Sequence, residues 1–302
     1  MTEYEVTLKQ RNPVIDDSDG HIRMVDGYRD KNGMYHVFCD FIDFKFDTVH
    51  SFQADIKYYR GKSLYQLEDM GILIKKKMYG AGSPGIAVFN HEAYLFYAIR
   101  GNLDQAESFI GTAKPGEPGY VSSDIAVNIY KCDEFDGIIT ENPKTYEVIK
   151  RDCGWKSMRV DDPGPVVINE KLHLFYKGFN DNTGKKNISI GHGYFEGEKF
   201  IDLGIALQSE EGFEMPRPFF DDGQYQMFIR TFNHSKSSWR HFVKEGNEMK
   251  ELDYDFFNGH PETKAKDACF IKDSEGNLTH EVLACGYEQN KLKQWLYCLS
   301  KK

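Results

Sequence analysis

Three acids occupy comparable places in this 302-residue chain: Asp26 stands nine residues before Tyr35, Asp162 ten before Leu172, and Glu214 eleven before Tyr225. Each downstream residue opens an aromatic, alternating stretch: Tyr35-His36-Val37-Phe38, Leu172-His173-Leu174-Phe175-Tyr176 and Tyr225-Gln226-Met227-Phe228. Similar offsets predict similar depth in repeated hairpins, so the three carboxyls are expected to converge. Converging carboxyls can do glycosidic chemistry. A protonated acid gives its proton to a leaving oxygen, an ionised partner attacks the anomeric carbon or activates water, and a third holds a hydroxyl or stabilises positive charge on the ring. Burial and clustering raise the pKa of the acid and keep it protonated. An Asp before Gly or Pro also serves as a plain turn former. Glu214, between Phe213 and Met215-Pro216, sits in a neighbourhood that predicts partial burial.

The elements that must carry these acids are hairpins. From Arg159 to Asn180 the chain reads as an apolar strand (Gly164 to Ile168), a polar turn (Asn169-Glu170-Lys171) and a second strand alternating with period two (Leu172 to Tyr176). The same design recurs with Gly33 ahead of Tyr35, Phe89-Asn90-His91-Glu92 ahead of Tyr94, Asp221-Asp222-Gly223 ahead of Tyr225, and Ser274-Glu275-Gly276-Asn277 ahead of Glu281. Taking Phe38, Phe96, Phe175, Phe228 and Leu283 as equivalent gives steps of 58, 79, 53 and 55 residues. A period of that size with several short strands per copy is what a β-propeller produces, because one blade cannot bury both of its faces alone. Helical repeats would need a 3.6-residue pattern that is missing here. The expectation is an all-β chain forming a five-bladed β-propeller, one domain over residues 1–302. Blade one runs from about Asp19 to Lys77, blade two from Met78 to Arg151, and the last from near Lys264 to Leu299. Residues 1–15 are expected to add a strand to the last blade and so avoid an open edge. A loop rich in Gly and Pro is expected from Lys114 to Gly119.

Composition agrees with half-buried strands packed face to face: aromatics are 14% of the chain, with 22 Phe and 18 Tyr. No run approaches the ~18 apolar residues of a spanning helix, so no membrane partner is expected. A net charge of −9 argues against a nucleic-acid surface, and the basic runs Lys75-Lys76-Lys77 and Lys185-Lys186 are short. A neutral or weakly charged ligand fits better. Six cysteines without a Cys-x-x-Cys pair suggest reduced, mostly buried thiols. The first ten residues alternate like a strand and carry neither a basic leader nor an apolar stretch, so a cytoplasmic location is expected.

Val160-Asp161-Asp162-Pro163 followed by an apolar strand, a short turn and Leu-His-Leu-Phe-Tyr resembles the five-bladed propeller glycosidases of families 43 and 117 and the related families 32 and 68. Glu214-Met215-Pro216-Arg217-Pro218 is similar to their blade-four Glu element, and Gly20-His21 through Asp26-Gly27 to their blade-one Asp element. The resemblance implies a glycoside hydrolase of a small oligosaccharide or glycoside, with Asp26 as nucleophile or general base, Glu214 as general acid and Asp162 as the carboxylate that stabilises the transition state and orients Glu214. It is specific at Asp162 and Glu214. Blade one lacks the Asp-Pro pair, Asp161 replaces the Arg often found before the blade-three Asp, and Asp19 is a rival for the blade-one role. Arg23, Asp161, Arg217 and Arg240 are candidates for holding sugar hydroxyls or the acids, and Trp155 and Trp239 for stacking on a sugar face. His192 and His234 are candidates for the channel, where related enzymes sometimes keep a calcium ion; no metal-ligand spacing is present in the sequence, and no cofactor is expected. Two other functions use the same ring: a non-catalytic propeller binding a glycan or a protein on its rim, and a glycoside phosphorylase, which would need a basic phosphate subsite at Arg217 or Arg240.

Overall fold

The computed structural model describes residues 2–44, 54–75, 81–100, 123–152, 154–180, 187–231, 238–246, 248–257 and 267–302. Among them are twenty β-strands and no α-helix, as the period-two patterning requires. His234, the Lys114–Gly119 loop, Lys76-Lys77 and Lys185-Lys186 lie outside the described residues.

After β1 (Tyr4–Leu8), the strands fall into antiparallel runs of four. The first is β2 (Gly20–Arg29), β3 (Tyr35–Asp43), β4 (Asp55–Ser63) and β5 (Gln66–Ile74). The second is β6 (Ala81–Phe89), β7 (Glu92–Arg100), β8 (Ser123–Cys132) and β9 (Ile138–Ile149). The third is β10 (Arg159–Ile168), β11 (Lys171–Asn180), β12 (Asn187–Glu196) and β13 (Lys199–Gln208). The fourth is β14 (Phe213–Asp221), β15 (Gln224–Thr231), β16 (Trp239–Glu245) and β17 (Glu248–Phe257). β18 (Asp267–Asp273), β19 (Leu278–Glu288) and β20 (Lys291–Lys301) take β1 as their fourth strand, Val6 pairing with Leu299.

Hairpin turns fix the register. Asn90-His91, Asn169-Glu170 and Asp222-Gly223 all have positive φ at both positions, the two-residue geometry whose twist matches the flanking strands. The first and last hairpins instead turn through five and four residues, from Asp30 and from Ser274, with Gly33 and Gly276 at φ +79° and +86°. In this register Phe38, Phe96, Phe175, Phe228 and Leu283 lie opposite Asp26, Gly85, Gly164, Arg217 and Cys269. These five positions are therefore structurally equivalent.

The first strands of the runs touch in a cycle: β2 lies against β6, β6 against β10, β10 against β14, β14 against β18, and β18 against β2. The equivalent positions show how closely. A Cβ on Gly85 would stand 2.2 Å from the Pro163 carbonyl oxygen, and one on Gly164 would stand 2.3 Å from that of Pro216. Prolines are tolerated on these strands because their inner edge is not laddered to a partner along its length. Gly164→Ala is expected to cost about 1–3 kcal/mol through overpacking against backbone that cannot yield; a thermal melt measures it, and an unchanged midpoint would mean that the two strands part easily. The outward faces bury the core, as where Phe228, Phe270 and Trp239 pack with Tyr4 and Tyr297 between the last two runs.

Candidate active site

Four of the first strands carry one extra residue, the same number of positions before the aromatic anchor of the partner strand: Met24, Ser83, Asp162 and Met215, at φ +44°, +52°, +49° and +52°. A non-glycine residue in that region costs of order 1–3 kcal/mol and persists only where its surroundings enforce it. The bulge breaks the alternation, so two consecutive side chains can be aimed toward one end of the strand. Just before the bulge stand Arg23, Gly82, Asp161 and Glu214; the matching residue of the unbulged β18 is Asp267. Opposite them lie Asp40, Ala98, Lys177, Arg230 and Cys285. Charge is thus concentrated in one layer.

Lys177 is the centre of that layer. Its buried Nζ lies 2.6 Å from Asp162 Oδ2, 3.0 Å from Asp161 Oδ1 and 3.4 Å from Glu214 Oε2. Arg159 Nε lies 3.1 Å from Asp161 Oδ2. Arg230 Nη1 stands 3.5 Å from Glu214 Oε1 and donates to Asp267. Asp162 and Glu214 are therefore brought together, and Asp161 with them.

Their environments push them apart in acidity. Burial would raise Asp162, but the charge and hydrogen bond of Lys177, reinforced by Arg159 and Arg217, override it and hold the carboxyl down at about 2. For Glu214 burial prevails: Arg230 and Lys177 oppose it from longer range, while Asp162 and Asp267 add repulsion, so its carboxyl is raised. Lys177 is raised although burial opposes its charge, because Asp161 and Asp162 outweigh that cost.

Asp26 does not join them. Its carboxylate accepts the Ile86 N–H at 2.8 Å and the Cys269 thiol at 3.3 Å, and it sits at the level of Gly85 and Gly164, three positions deeper than Glu214. Similar offsets gave unequal depth: nine residues against eleven already places Asp26 two positions deeper than Glu214, and the hairpin after β2, which turns through five residues where those after β10 and β14 use two, adds the third. Asp26 ties β2 to β6 and β18. Asp19 is exposed ahead of β2, outside the cluster.

The other candidates divide. Arg23 is in the charged layer, 3.3 Å from Asp40, and Asp161 is in the cluster itself. Arg217 is buried one level deeper and crosses to backbone carbonyls, Nε to Ala268 O at 3.3 Å and Nη2 to Val25 O at 3.5 Å, so it ties strands together. Arg240 is on the third strand of its run, 3.6 Å from both Glu211 and Glu251. Trp155 stacks on Tyr176 and fills the space over Gly178 and Gly191, where a Cβ would stand 2.0 and 2.5 Å from the indole. Trp239 is buried against Phe270. Neither indole is a free platform. His192 stacks on Phe175 and bonds to His173, and burial lowers it to about 4. Among the described residues no group of three His, Cys, Asp or Glu side chains could hold a metal ion.

Sequence reasoning missed Lys177, Arg159, Arg230, Asp267 and Tyr287. Lys177 and Arg230 each stand two residues after the repeat's Phe, a signal that was available. Tyr287, two residues beyond Cys285 and 42% exposed, is close enough to Arg23 and Asp267 to feel their charges.

No protein-family model matches the chain, and a search of curated proteins by sequence finds no match. Solved structures do resemble it. A family 117 glycoside hydrolase from the marine bacterium Zobellia galactanivorans superposes with a TM-score of 0.66 at 16% identity, over 99% of this chain and 90% of that one. The catalytic domain of a family 62 α-L-arabinofuranosidase from Coprinopsis cinerea gives 0.61 at 14% identity, over 100% and 97%. An inulosucrase from Halalkalicoccus jeotgali bound to kestose gives 0.66 at 14%, over 94% and 80%. These belong to five-bladed β-propeller families of glycoside hydrolases, and the likeness is one of fold.

Proposed function

We propose that the chain is a five-bladed β-propeller glycoside hydrolase acting on a small oligosaccharide or glycoside. Five runs of four strands, with first strands that touch in a cycle, support the blade count. The observation that carries the chemistry is the opposed acidity of two carboxyls sharing one lysine: Glu214 raised, Asp162 held at about 2. Separation of this kind is how an acid and a charged partner coexist in one pocket at neutral pH. Glu214 gives its proton to the leaving oxygen as the anomeric C–O bond breaks. Asp162, permanently ionised, holds Lys177 against Glu214 and opposes the positive charge that develops on the sugar ring. Arg23 is the polar contact for hydroxyls, Asp161 holds Lys177 and Arg159 in place, and Tyr287 is a better stacking surface than either tryptophan.

A panel of 4-nitrophenyl furanosides and pyranosides tests this: release of nitrophenol from at least one, at a rate indifferent to added phosphate, is expected. Phosphate-dependent release would select the phosphorylase, which finds little support in Arg217, buried below the charged layer, or in Arg240, on the third strand of its run between Glu211 and Glu251. No release from any member, with saturable binding of a sugar, would select the glycan-binding propeller, a second reading favoured by Met24 standing where β10 carries Asp162.

A further inference from the structure

If Glu214 is the acid, the site needs a second carboxylate that water can reach, and the first strand does not provide it. The bulge position of β2 holds Met24 and the position before it Arg23. Asp26 is occupied by Ile86 N–H and Cys269. Asp40 is fully buried, with one oxygen on Ser83 N–H at 2.7 Å and the other toward Arg23. Asp161 and Asp162 are buried on Lys177. One acid of the charged layer differs. Asp267 begins β18 at the level of Glu214, keeps 21% of its side chain exposed, and shares a single nitrogen, Arg230 Nη1, with Glu214. Two carboxylates touching one nitrogen have their nearest oxygens within about 6 Å and their carboxyl carbons within about 8 Å, a span that reaches the roughly 6.5–9.5 Å at which an acid and a base leave room for a water between them. Tyr287, near enough to feel the charge of Asp267, supplies an exposed ring against which a sugar can lie.

We propose that Asp267 is the general base of this site, taking over from the fifth run the role that the first run leaves empty. The inference rests on the glycosidase reading above. In the step it describes, a water oxygen forms the new bond to the anomeric carbon and Asp267 accepts the proton that water loses. The bond to the leaving oxygen breaks, and that oxygen takes the proton of Glu214. Asp267 ends protonated and Glu214 ionised, and exchange with solvent restores both. Arg230, bonded to each, is a positioning residue that fixes their spacing.

The test is Asp267→Ala beside the wild-type chain on whichever aryl glycosides the wild type hydrolyses, with and without sodium formate or azide. Loss of a base predicts a fall of about 10²- to 10⁴-fold, the same for dinitrophenyl and nitrophenyl leaving groups, and partial recovery with the added anion, which replaces the missing carboxylate or attacks in place of water. A merely structural role would not respond to the anion. Asp267→Asn, which keeps a polar partner for Arg230, separates loss of folding from loss of chemistry. Activity within about threefold of wild type in either variant, or a loss in Asp267→Ala that no anion restores, overturns the proposal for Asp267 and leaves the glycosidase reading standing. A wild-type chain inactive on every glycoside overturns that reading and this one together.

Discussion

Replacing Lys177 by Met is expected to destabilise the fold by about 3–5 kcal/mol at neutral pH, because it removes one partner of a buried ion cluster and leaves the others uncompensated. Methionine keeps the length and the apolar stem, so packing is not the issue. Nζ lies within 3.4 Å of Asp161, Asp162 and Glu214, all buried; Asp161 and Glu214 each have a second cation within 3.5 Å, Arg159 and Arg230, whereas Asp162 has only the more distant charges of Arg159 and Arg217. The pH dependence follows from the sign of the Asp162 shift. With Lys177 present, its carboxyl is lowered from 3.8 to about 2, so it contributes stability that is present above the ordinary carboxylate value and lost as pH falls through about 2. Without Lys177, burial is the largest remaining influence and resists ionisation; that penalty is absent at low pH and grows as pH rises. The gap between variant and wild type should therefore be widest toward pH 7.5, narrow below the ordinary carboxylate value and be smallest only as pH falls to about 2. Urea unfolding at several pH values measures it. A gap that stays constant would mean that the three acids do not depend on the lysine for their charge.

The rhythm of the strands could be read from the sequence because period-two alternation and two-residue turns are local. Asn169-Glu170 and Asp222-Gly223 turn where the polar residues say they should, and Phe38, Phe96, Phe175 and Phe228 fall into one register. Depth was not local. A single inserted residue at Met24, Ser83, Asp162 or Met215 changes which side chains reach the charged layer, and the five-residue turn after Arg29 lets Asp26 slide beneath it. Side-chain destinations were lost for a related reason. Trp155 looks like a platform until Gly178 and Gly191 are seen to open the slot that receives it, residues far from it in sequence. Arg217 follows a promising Glu-Met-Pro, yet its strand carries it one level deeper, to the carbonyls of Ala268 and Val25. Lys177 and Arg230 were legible in principle, since the repeat that aligned the phenylalanines also aligns them. The three acids alone drew attention away from the cations that decide what those acids can do.

Glu214→Gln is expected to lower turnover of unactivated glycosides by about 10²- to 10⁴-fold, the loss typical of a missing general acid. The amide keeps the shape and an oxygen for Lys177 or Arg230 but has no proton of suitable acidity to give. On dinitrophenyl glycosides, whose leaving group departs without protonation, the loss should shrink sharply, and that dependence on the leaving group distinguishes an absent acid from a disturbed pocket. Folding should survive the change. Because the raised Glu214 contributes stability below its ordinary carboxylate value and loses it as pH rises through the folded value, a neutral amide removes that alkaline penalty, while Lys177 retains Asp161 and Asp162 and Arg230 retains Asp267. Asp26→Asn should behave in the opposite way. Its carboxylate holds Ile86 N–H and Cys269 where three strands meet, so the expected cost is about 1–3 kcal/mol of stability, with turnover following only as the fold loosens. Thermal melts beside rates on both leaving groups place each acid. Turnover abolished in a fully stable Asp26→Asn, beside a Glu214→Gln chain that still cleaves nitrophenyl glycosides, would move the chemistry from the charged layer to the level beneath it, where Asp26 and Arg217 stand.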